Sequence, residues 1–414
     1  MTTALFVFIL LGAKLAMQIL LDHRNRQEVN AHRDSIPDSF KEFIDDETYR
    51  KSIDYTLAKS HIGRIELIYD TLILAGLIFF GFFPWMYSQY FLSANESVWI
   101  AGIFLIVSGL VASVLSFPFE WYHQFRLEDR FGFNNTTLPT WITDKIKGLV
   151  LSIVIGLPLI VLLMKTVDWL GDAWWVFAWI LLVGFQFIMM ILAPILILPL
   201  FNKFTPLPEG DLKNRLFSLS ERTGFKTKSI LVMDGSRRST HSNAFFTGFG
   251  KFRKIVLFDT LIEQLEPEEL EAVLAHEIGH YKKGHLLKSV FMSTLTMLGA
   301  FYVISLLVKS SWFLESFGFQ QGNLTQAILI FSLLGGTFSF WLNPLFNFVS
   351  RKHEFEADAF AAKTQKNAKH LIGSLRKLSE KNLSNLTPDN FYSRFYYSHP
   401  TLTERESALN SITP

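Results

Sequence analysis

Three residues of the segment HEIGH have the types and the spacing of a zinc hydrolase site. His276 and His280 are four residues apart, so a helix would place both imidazoles on one face, where they can bind a single Zn²⁺. Glu277 would lie about 100° further round the helix, from where its carboxylate can accept a proton without binding the metal. The segment therefore predicts metal-assisted hydrolysis with Glu277 as the general base.

Two histidines need a third protein ligand, because a catalytic zinc usually has three and keeps one position open. His285 is one candidate, but five residues beyond His280 on a continuing helix it would point away from the other ligands. Glu354 is the better candidate, because Asp358 follows it by four residues and shares its face of a second helix. We expect Glu354 to complete the site and Asp358 to hydrogen-bond a zinc-bound histidine.

Both patterns also occur without a metal. A motif with three fixed positions recurs by chance, and Glu354, Glu356 and Asp358 are also typical of a solvated surface helix. The 414 residues include no cysteine, which excludes disulfides, a thiol nucleophile and a cysteine-bound metal. Any metal must therefore be held by His, Asp or Glu.

The composition is that of a membrane protein. Half of the residues are hydrophobic and only 18% are charged, and the net charge of +2 predicts no nucleic-acid partner. A spanning helix needs roughly 20 mostly apolar residues. About seven stretches qualify, and they cover residues 2–21, 67–91, 98–122, 148–163, 174–201, 287–308 and 325–349.

Basic residues in the short loops predict the orientation of these spans. The loops after the first and third spans are rich in Lys and Arg, which places the N-terminus outside and both 202–286 and 350–414 in the cytoplasm. No Lys or Arg precedes the first apolar run, so we interpret it as a retained anchor. In the loop after the third span, Glu128, Asp129 and Arg130 either line a cavity or pair at the membrane surface.

Between the fifth and sixth spans we expect a small cytoplasmic α+β zinc-peptidase subdomain. KSILVMDG and RKIVLFDTL have strand composition, NAFFTGFG is a third possible strand, and LEPEELEAVLAHEIGHYKKGH is typical of a helix. The predicted fold is thus an all-α polytopic membrane protein that carries this subdomain. Its predicted parts are 1–201 with the first five spans, 202–286 with HEIGH, 287–349 with the last two spans, and 350–414 with the third ligand.

Together these motifs resemble those of the type I CAAX prenyl endopeptidases, integral-membrane zinc proteases that process prenylated C-termini. The resemblance rests on HEIGH between the fifth and sixth spans, EFEAD after the seventh and FYYSHPTLTER near the end, with NAFFTGFG and EDRFGFNNTT in addition. It implies one Zn²⁺ per chain, bound by His276, His280 and Glu354. It also implies a barrel of membrane helices around a large water-filled chamber.

The same resemblance implies two roles away from the ligands. Asn243, with Ala244 and Phe245, would lie in a strand that aligns the peptide, and His399 would support the tetrahedral intermediate as a further catalytic residue. On the residues alone, NAFFTGFG fits an ordinary buried strand equally well. A histidine before Pro400 and a helix start is more typical of a structural role.

The predicted function is therefore cleavage of a lipidated or membrane-embedded peptide or protein beside membrane lipids. One alternative is a quality-control zinc protease that needs no prenyl group, and another is a non-enzymatic seven-span receptor or transporter with an accidental HEIGH. The lack of cysteine and of a retention signal at the SITP end favours a bacterial inner membrane.

Overall fold

The computed structural model of the chain describes residues 3–91, 97–225, 227, 229–247, 253–319 and 324–412, and most of them are helical. Short π-helical segments at His123–Glu128, Ser152–Gly156 and Ala193–Ile197 interrupt the helices of the N-terminal half. The helices of this half are α1 (Thr3–Ala31), α2 (Asp46–Phe79), α3 (Phe82–Tyr90), α4 (Val98–Tyr122), α5 (Asp129–Phe131), α6 (Leu138–Leu151), α7 (Leu157–Leu170), α8 (Trp174–Leu192) and α9 (Leu198–Phe201).

Four helical stretches of the described residues are long and apolar enough to cross a membrane, and two bent helix pairs also qualify as single spans. The longest, Leu138–Phe201, has 64 residues and would extend about 96 Å, far more than the ~30 Å of a hydrocarbon core. Gly171 interrupts it with a non-helical φ of 50° and ψ of −128°. This break lies between the predicted spans 148–163 and 174–201.

The last predicted span, 325–349, is bent. It consists of α15 (Leu324–Phe340) and α16 (Asn343–Gln365), whose axes differ by 61°. Pro344 lies in the first turn of α16, where its missing N–H leaves no helical hydrogen bond unmade. Because of the bend, α16 carries Glu354 and Asp358 away from the direction of the span.

The segment after α9 contains a four-stranded sheet. Its strands are β1 (Phe204–Pro206), β2 (Ser229–Met233), β3 (Ala244–Thr247) and β4 (Lys254–Phe258), in the order β1-β2-β4-β3. The pair β2–β4 is parallel, whereas β1–β2 and β3–β4 are antiparallel. Each predicted strand coincides with one of these, and β3 lies at an edge of the sheet, although Gly248–Gly250 of NAFFTGFG are outside the described residues.

Helix α12 (Pro267–Lys282) contains HEIGH and begins at a capping box formed by Glu266 and Glu269. The other helices of this half are α10 (Asp211–Arg222), α11 (Asp259–Gln264), α13 (His285–Val308), α14 (Ser311–Glu315), α17 (Lys369–Lys381), α18 (Asn390–Tyr396) and α19 (Leu402–Ile412).

The sheet and the C-terminal helices share one hydrophobic core. It includes Ile255 of β4, Leu274 of α12, Ala361 of α16, Leu371 of α17 and Leu409 of α19. The segment before α13 therefore packs directly against the segment that follows the bend between α15 and α16. The predicted boundary at 349/350 falls inside α16, which links the last span to this core.

Candidate metal centre

The site lies where helices α12 and α16 cross with their backbones in close contact. A Cβ on Gly279 would lie 3.0 Å from the Cα of Ala357 and 3.1 Å from its carbonyl oxygen. Glycine, which has no Cβ, lets the two backbones come this close. The crossing places the histidine face of HEIGH against the Glu354 face of α16.

The three predicted metal ligands meet at this crossing. The Nε2 atoms of His276 and His280 are 3.1 Å apart, and they lie 3.3 Å and 3.2 Å from the two carboxylate oxygens of Glu354. One potential ligand atom from each residue lies within 4.8 Å of the others. Residues 78 positions apart in the chain are thus brought into one cluster.

This cluster fits a divalent metal. Oε2 of Glu354 is buried and, among the described residues, has no hydrogen-bond partner. Ligand atoms ~2.0–2.1 Å from a tetrahedral metal lie about 3.3 Å from one another, which is close to the separations seen here. Two imidazoles and one carboxylate are also a donor set typical of catalytic zinc, with a fourth position left for water.

Asp358 contacts His276, as the sequence predicts. Its Oδ1 lies 2.8 Å from Nδ1 of His276, and its carboxylate accepts hydrogen bonds of 2.8 Å and 2.5 Å from the guanidinium of Arg405. The aspartate side chain is 1% exposed. The contact with Asp358 keeps a proton on Nδ1, so a neutral His276 has its lone pair on Nε2, the nitrogen that faces Glu354 and His280.

The cluster favours a positive charge. Burial alone lowers the pKa of His276, but its hydrogen bond to Asp358 and the adjacent carboxylate of Glu354 outweigh burial and raise the pKa to about 9. At neutral pH His276 therefore carries a second proton, which a metal must displace before it can bind. Metal binding should then release a proton.

The sequence does not indicate that Arg405 belongs to the site. It lies in α19, 47 residues after its partner Asp358, and both side chains are buried. An arginine within TERESAL has the appearance of an ordinary helix-surface residue. Arg405 reaches Asp358 only because α16 and α19 pack against each other in the folded protein.

The premise that one helix continues from His280 to His285 is wrong. Helix α12 ends at Lys282, Gly284 has a φ of 67°, and α13 begins at His285. The turn brings Nδ1 of His285 to 2.9 Å from Nδ1 of His280. His285 is not one of the three converging ligands, but it contacts one of them.

Glu277 lies next to the cluster on α12 and is half-buried. Burial raises the pKa of its carboxyl group, whereas the nearby His276 and His280 act in the opposite direction. A carboxylate with a raised pKa accepts a proton more readily, which suits the general base predicted from the motif.

His399 lies at the boundary between the cluster and a cavity. Its Nε2 is 3.5 Å from Oε1 of Glu354, and its side chain is 64% exposed. His399 lines a cavity of about 1,090 Å³, from which its ring is accessible to water. The structure thus brings His399 to the predicted ligands.

Asn243, Ala244 and Phe245 lie at the start of the edge strand β3. The side-chain oxygen of Asn243 accepts a hydrogen bond of 2.8 Å from the backbone of Ala244, and Phe245 packs edge-on against Phe258. In the part of the chain that the structure describes, no hydrogen bond or ion pair joins these residues to the metal ligands. Their predicted role in substrate alignment depends on the edge position of β3 alone.

A second group of polar residues lines the same cavity. The carboxylate of Glu128 accepts a 2.6 Å hydrogen bond from Tyr55 and lies 3.3 Å from Nε2 of His241, whose Nδ1 is 2.8 Å from Oδ1 of Asn382. We call these four residues the cavity-wall cluster. Of the two positions considered for Glu128, the structure shows the one at a cavity.

Comparisons with known proteins all point to one family. The family model "CAAX prenyl protease N-terminal, five membrane helices" matches residues 25–203, and the model of peptidase family M48 matches residues 206–413. CAAX prenyl protease 1 of Saccharomyces cerevisiae is 35% identical over 97% of this chain and 94% of its own length. The human CAAX prenyl protease 1 homolog is 32% identical over 91% of this chain and 89% of its own.

A solved structure agrees with these sequence relatives. The crystal structure of S. mikatae Ste24p superposes with a TM-score of 0.90 at 34% identity, over 99% of this chain and 100% of that one. The agreement covers both the membrane helices and the segment that holds the cluster. The chain therefore belongs to the CAAX prenyl protease 1 family, whose members are M48 metalloendopeptidases of the membrane.

Proposed function

We propose that this chain is a zinc-dependent membrane endopeptidase that cleaves peptide bonds near the C-terminus of prenylated substrates. The observation that carries the proposal is the convergence of His276, His280 and Glu354 at the α12–α16 crossing, with a buried oxygen of Glu354 that lacks a hydrogen bond among the described residues. The substrate class is supported by the names of the yeast and human relatives, which are CAAX prenyl proteases.

His276, His280 and Glu354 would hold the metal, which when bound supplies a Lewis acid that polarises the scissile carbonyl and acidifies a water. Glu277 would accept a proton from the attacking water and deliver it to the leaving nitrogen. Its position beside the two ligand histidines on the same helix supports both transfers.

His399 would donate a hydrogen bond to the oxygen of the tetrahedral intermediate. Burial lowers the pKa of His399, so the ring is neutral at pH 7 and carries one proton. Ser398 Oγ lies 3.0 Å from Nδ1 and can donate to it, which places that proton on Nε2, the nitrogen nearest Glu354. A preorganised donor of this kind stabilises charge that develops during the reaction.

The substrate peptide would bind as an extra strand along β3, which is the last strand of the sheet among the described residues. Main-chain groups of Asn243, Ala244 and Phe245 would then pair with it, as in other cases of strand addition. The position of β3 at the end of the order β1-β2-β4-β3 supports this proposal. The cavity lined by His241, two residues before Asn243, is large enough for several residues of peptide.

We further propose that the protein crosses the membrane about seven times, with the N-terminus outside and the site facing the cytoplasm. The distribution of Lys and Arg supports this orientation. A site beside the bilayer suits a lipidated substrate, because the lipid can stay in its apolar surroundings during cleavage. The bacterial inner membrane and the four-part division of the chain stay predictions, and the relatives named above are eukaryotic.

The non-enzymatic receptor or transporter is the wrong interpretation, because the chain belongs to a metallopeptidase family. A quality-control protease would differ from the proposed enzyme only in its substrate, so the cleavage test below distinguishes the two.

Wild-type protein and Glu277→Gln, both purified in detergent, would be incubated with one CAAX peptide in farnesylated and bare forms, and the products measured by mass spectrometry.

We expect only the wild type to remove the terminal tripeptide, and only from the farnesylated peptide. Glu277→Gln should lose about 10²–10⁴-fold in rate while it retains its metal. Equal cleavage of both peptides would instead support the quality-control function. Cleavage by Glu277→Gln at the wild-type rate would overturn the proposed mechanism.

A further inference from the structure

We infer that His285 and Glu356 form a hydrogen-bond chain that determines which nitrogen of His280 is free to bind the metal. This inference rests on the proposed function, because it presumes a metal at His276, His280 and Glu354. His285 and Glu356 are positioning residues in it and do not touch the metal themselves.

The first link of the chain joins two imidazoles. Nδ1 of His280 and Nδ1 of His285 are 2.9 Å apart, a hydrogen-bond distance. One of these two nitrogens must therefore carry the proton, and the other must offer a lone pair. The left-handed conformation of Gly284 is what turns His285 back towards His280.

The second link decides which nitrogen carries the proton. Nε2 of His285 lies 3.1 Å from Oε2 of Glu356, and an ionised carboxylate can only accept a hydrogen bond. A neutral His285 therefore carries its proton on Nε2 and accepts from His280 through Nδ1. His280 then has its proton on Nδ1 and presents the lone pair of Nε2 to the cluster.

The opposite arrangement would prevent metal binding. A proton on Nε2 of His280 would point at Nε2 of His276, which is 3.1 Å away, and at Glu354. No lone pair of His280 would then face the metal. While Glu356 accepts the hydrogen bond from Nε2 of His285, the proton of His280 stays on Nδ1 and this second arrangement is excluded.

A third histidine keeps the chain rigid. His353 stacks on His285 with ring centroids 4.0 Å apart and an interplanar angle of 11°. Both rings are buried, so His285 cannot rotate away from His280 without breaking this contact. The two ligand histidines are thus held by different means, His276 directly by Asp358 and His280 by Glu356 through another imidazole.

The test is zinc affinity, measured by competition with a chromophoric chelator and independent of catalysis. The variants are Glu356→Ala, His285→Ala, His285→Gln and the double variant Glu356→Ala/His285→Ala. His370→Ala on α17, which makes none of the hydrogen bonds described for the site, is the matched control. The visible spectrum of the Co²⁺-loaded proteins reports the ligand geometry as a second readout.

We expect Glu356→Ala and His285→Ala each to lose about 10–100-fold in zinc affinity, as is usual when the hydrogen-bond partner of a ligand is removed. The double variant should bind no more weakly than His285→Ala, because Glu356 acts through His285. His285→Gln should recover most of the affinity, since its amide oxygen can accept from His280. The Co²⁺ spectra of both alanine variants should differ from that of the wild type.

Wild-type affinity in Glu356→Ala, or losses that simply multiply in the double variant, would overturn the inference. His285 is only 4% exposed at its side chain, so its alanine variant can fail to fold, whereas Glu356 is 32% exposed and its variant provides the test on its own. If the wild type itself binds no zinc, the proposed function fails. If it binds zinc and Glu356→Ala binds equally well, this inference alone fails.

Discussion

The candidate metal centre and the cavity-wall cluster both place a histidine beside a carboxylate, but they are assembled differently. The three candidate metal ligands lie on two helices, with His276 and His280 four residues apart on one of them, and Glu354 is almost fully buried. The cavity-wall cluster draws one residue from each of four separate segments, and its His241 is 39% exposed.

The difference shows how burial changes the energetic role of a charge. A buried ion pair is costly to break, because the remaining charge loses its partner where water cannot replace it. A pair at the wall of a water-accessible cavity is screened and contributes less. We therefore expect changes at the metal centre to have large effects on folding and metal binding, and changes at the cavity wall to have small, pH-dependent ones.

The largest effect should come from Arg405→Met. It leaves the carboxylate of Asp358 buried without its cation, which costs about 3–5 kcal/mol of unfolding free energy and loosens the support of His276. Thermal unfolding in detergent would measure the loss of stability, and a chelator competition would measure the accompanying loss of zinc affinity.

Arg351→Met is the matched control, because Arg351 pairs with Glu404 across the same two helices, α16 and α19. Glu404 is 37% exposed, so this variant should lose only about 0–1 kcal/mol. Equal losses of unfolding free energy in Arg405→Met and Arg351→Met would show that burial does not make the Arg405–Asp358 pair more important for stability.

A smaller effect is expected for Gly279→Ala. The added methyl group would press against the backbone of Ala357, so α12 and α16 must separate by a few tenths of an ångström. Overpacking of this kind costs about 1–3 kcal/mol, and it should also weaken zinc binding because Glu354 moves away from the histidines.

Gly335→Ala on α15 is the control, because a Cβ there meets no atom of the described residues within 4 Å. Measured by zinc competition, Gly279→Ala should bind more weakly than this control. Equal affinities would mean that close packing at the crossing is not needed for the site.

The smallest effect should be that of His241→Gln in the cavity-wall cluster. The hydrogen bond to Glu128 raises the pKa of His241 above its ordinary value, despite partial burial. A raised pKa in the folded state means that the protonated ring stabilises the protein fully below the unfolded pKa of about 6.5. This contribution is lost as the pH rises through the folded pKa.

The melting temperatures of wild type and His241→Gln should therefore differ most at low pH and converge as the pH increases. The measurement is a series of thermal unfolding curves between mildly acidic and mildly alkaline pH. A difference that stays constant over this range would show that protonation of His241 is not involved.

What the sequence predicts well follows from periodicity within single helices. The spacing of His276, Glu277 and His280 places them on a helix, and the EFEAD spacing puts Glu354 and Asp358 on one face, as the structure has them. Apolar length likewise predicts which segments form long apolar helices, and residues 98–122 coincide with α4. The division into seven spans stays a prediction, since four helical stretches and two bent pairs of the described residues are long and apolar enough. These features depend on neighbours a few residues away.

What the sequence does not predict is set by turns and by tertiary contacts. A single residue in a left-handed conformation, Gly284, ends α12 early and turns His285 towards His280. The contacts of Arg405 with Asp358 and of His241 with Glu128 join segments far apart in the chain. No local pattern marks these residues, because their environment is made by the packing of other elements.

The most direct test of the account is the metal content and coordination of the purified protein. Elemental analysis and zinc X-ray absorption would be recorded for the wild type and for Glu354→Gln, a variant of nearly equal shape. We predict about one zinc per wild-type chain, bound by two imidazoles and a carboxylate, and its loss from Glu354→Gln. A wild type without zinc, or a Glu354→Gln variant with unchanged zinc and coordination, would contradict the central claim that these helices form a metal site.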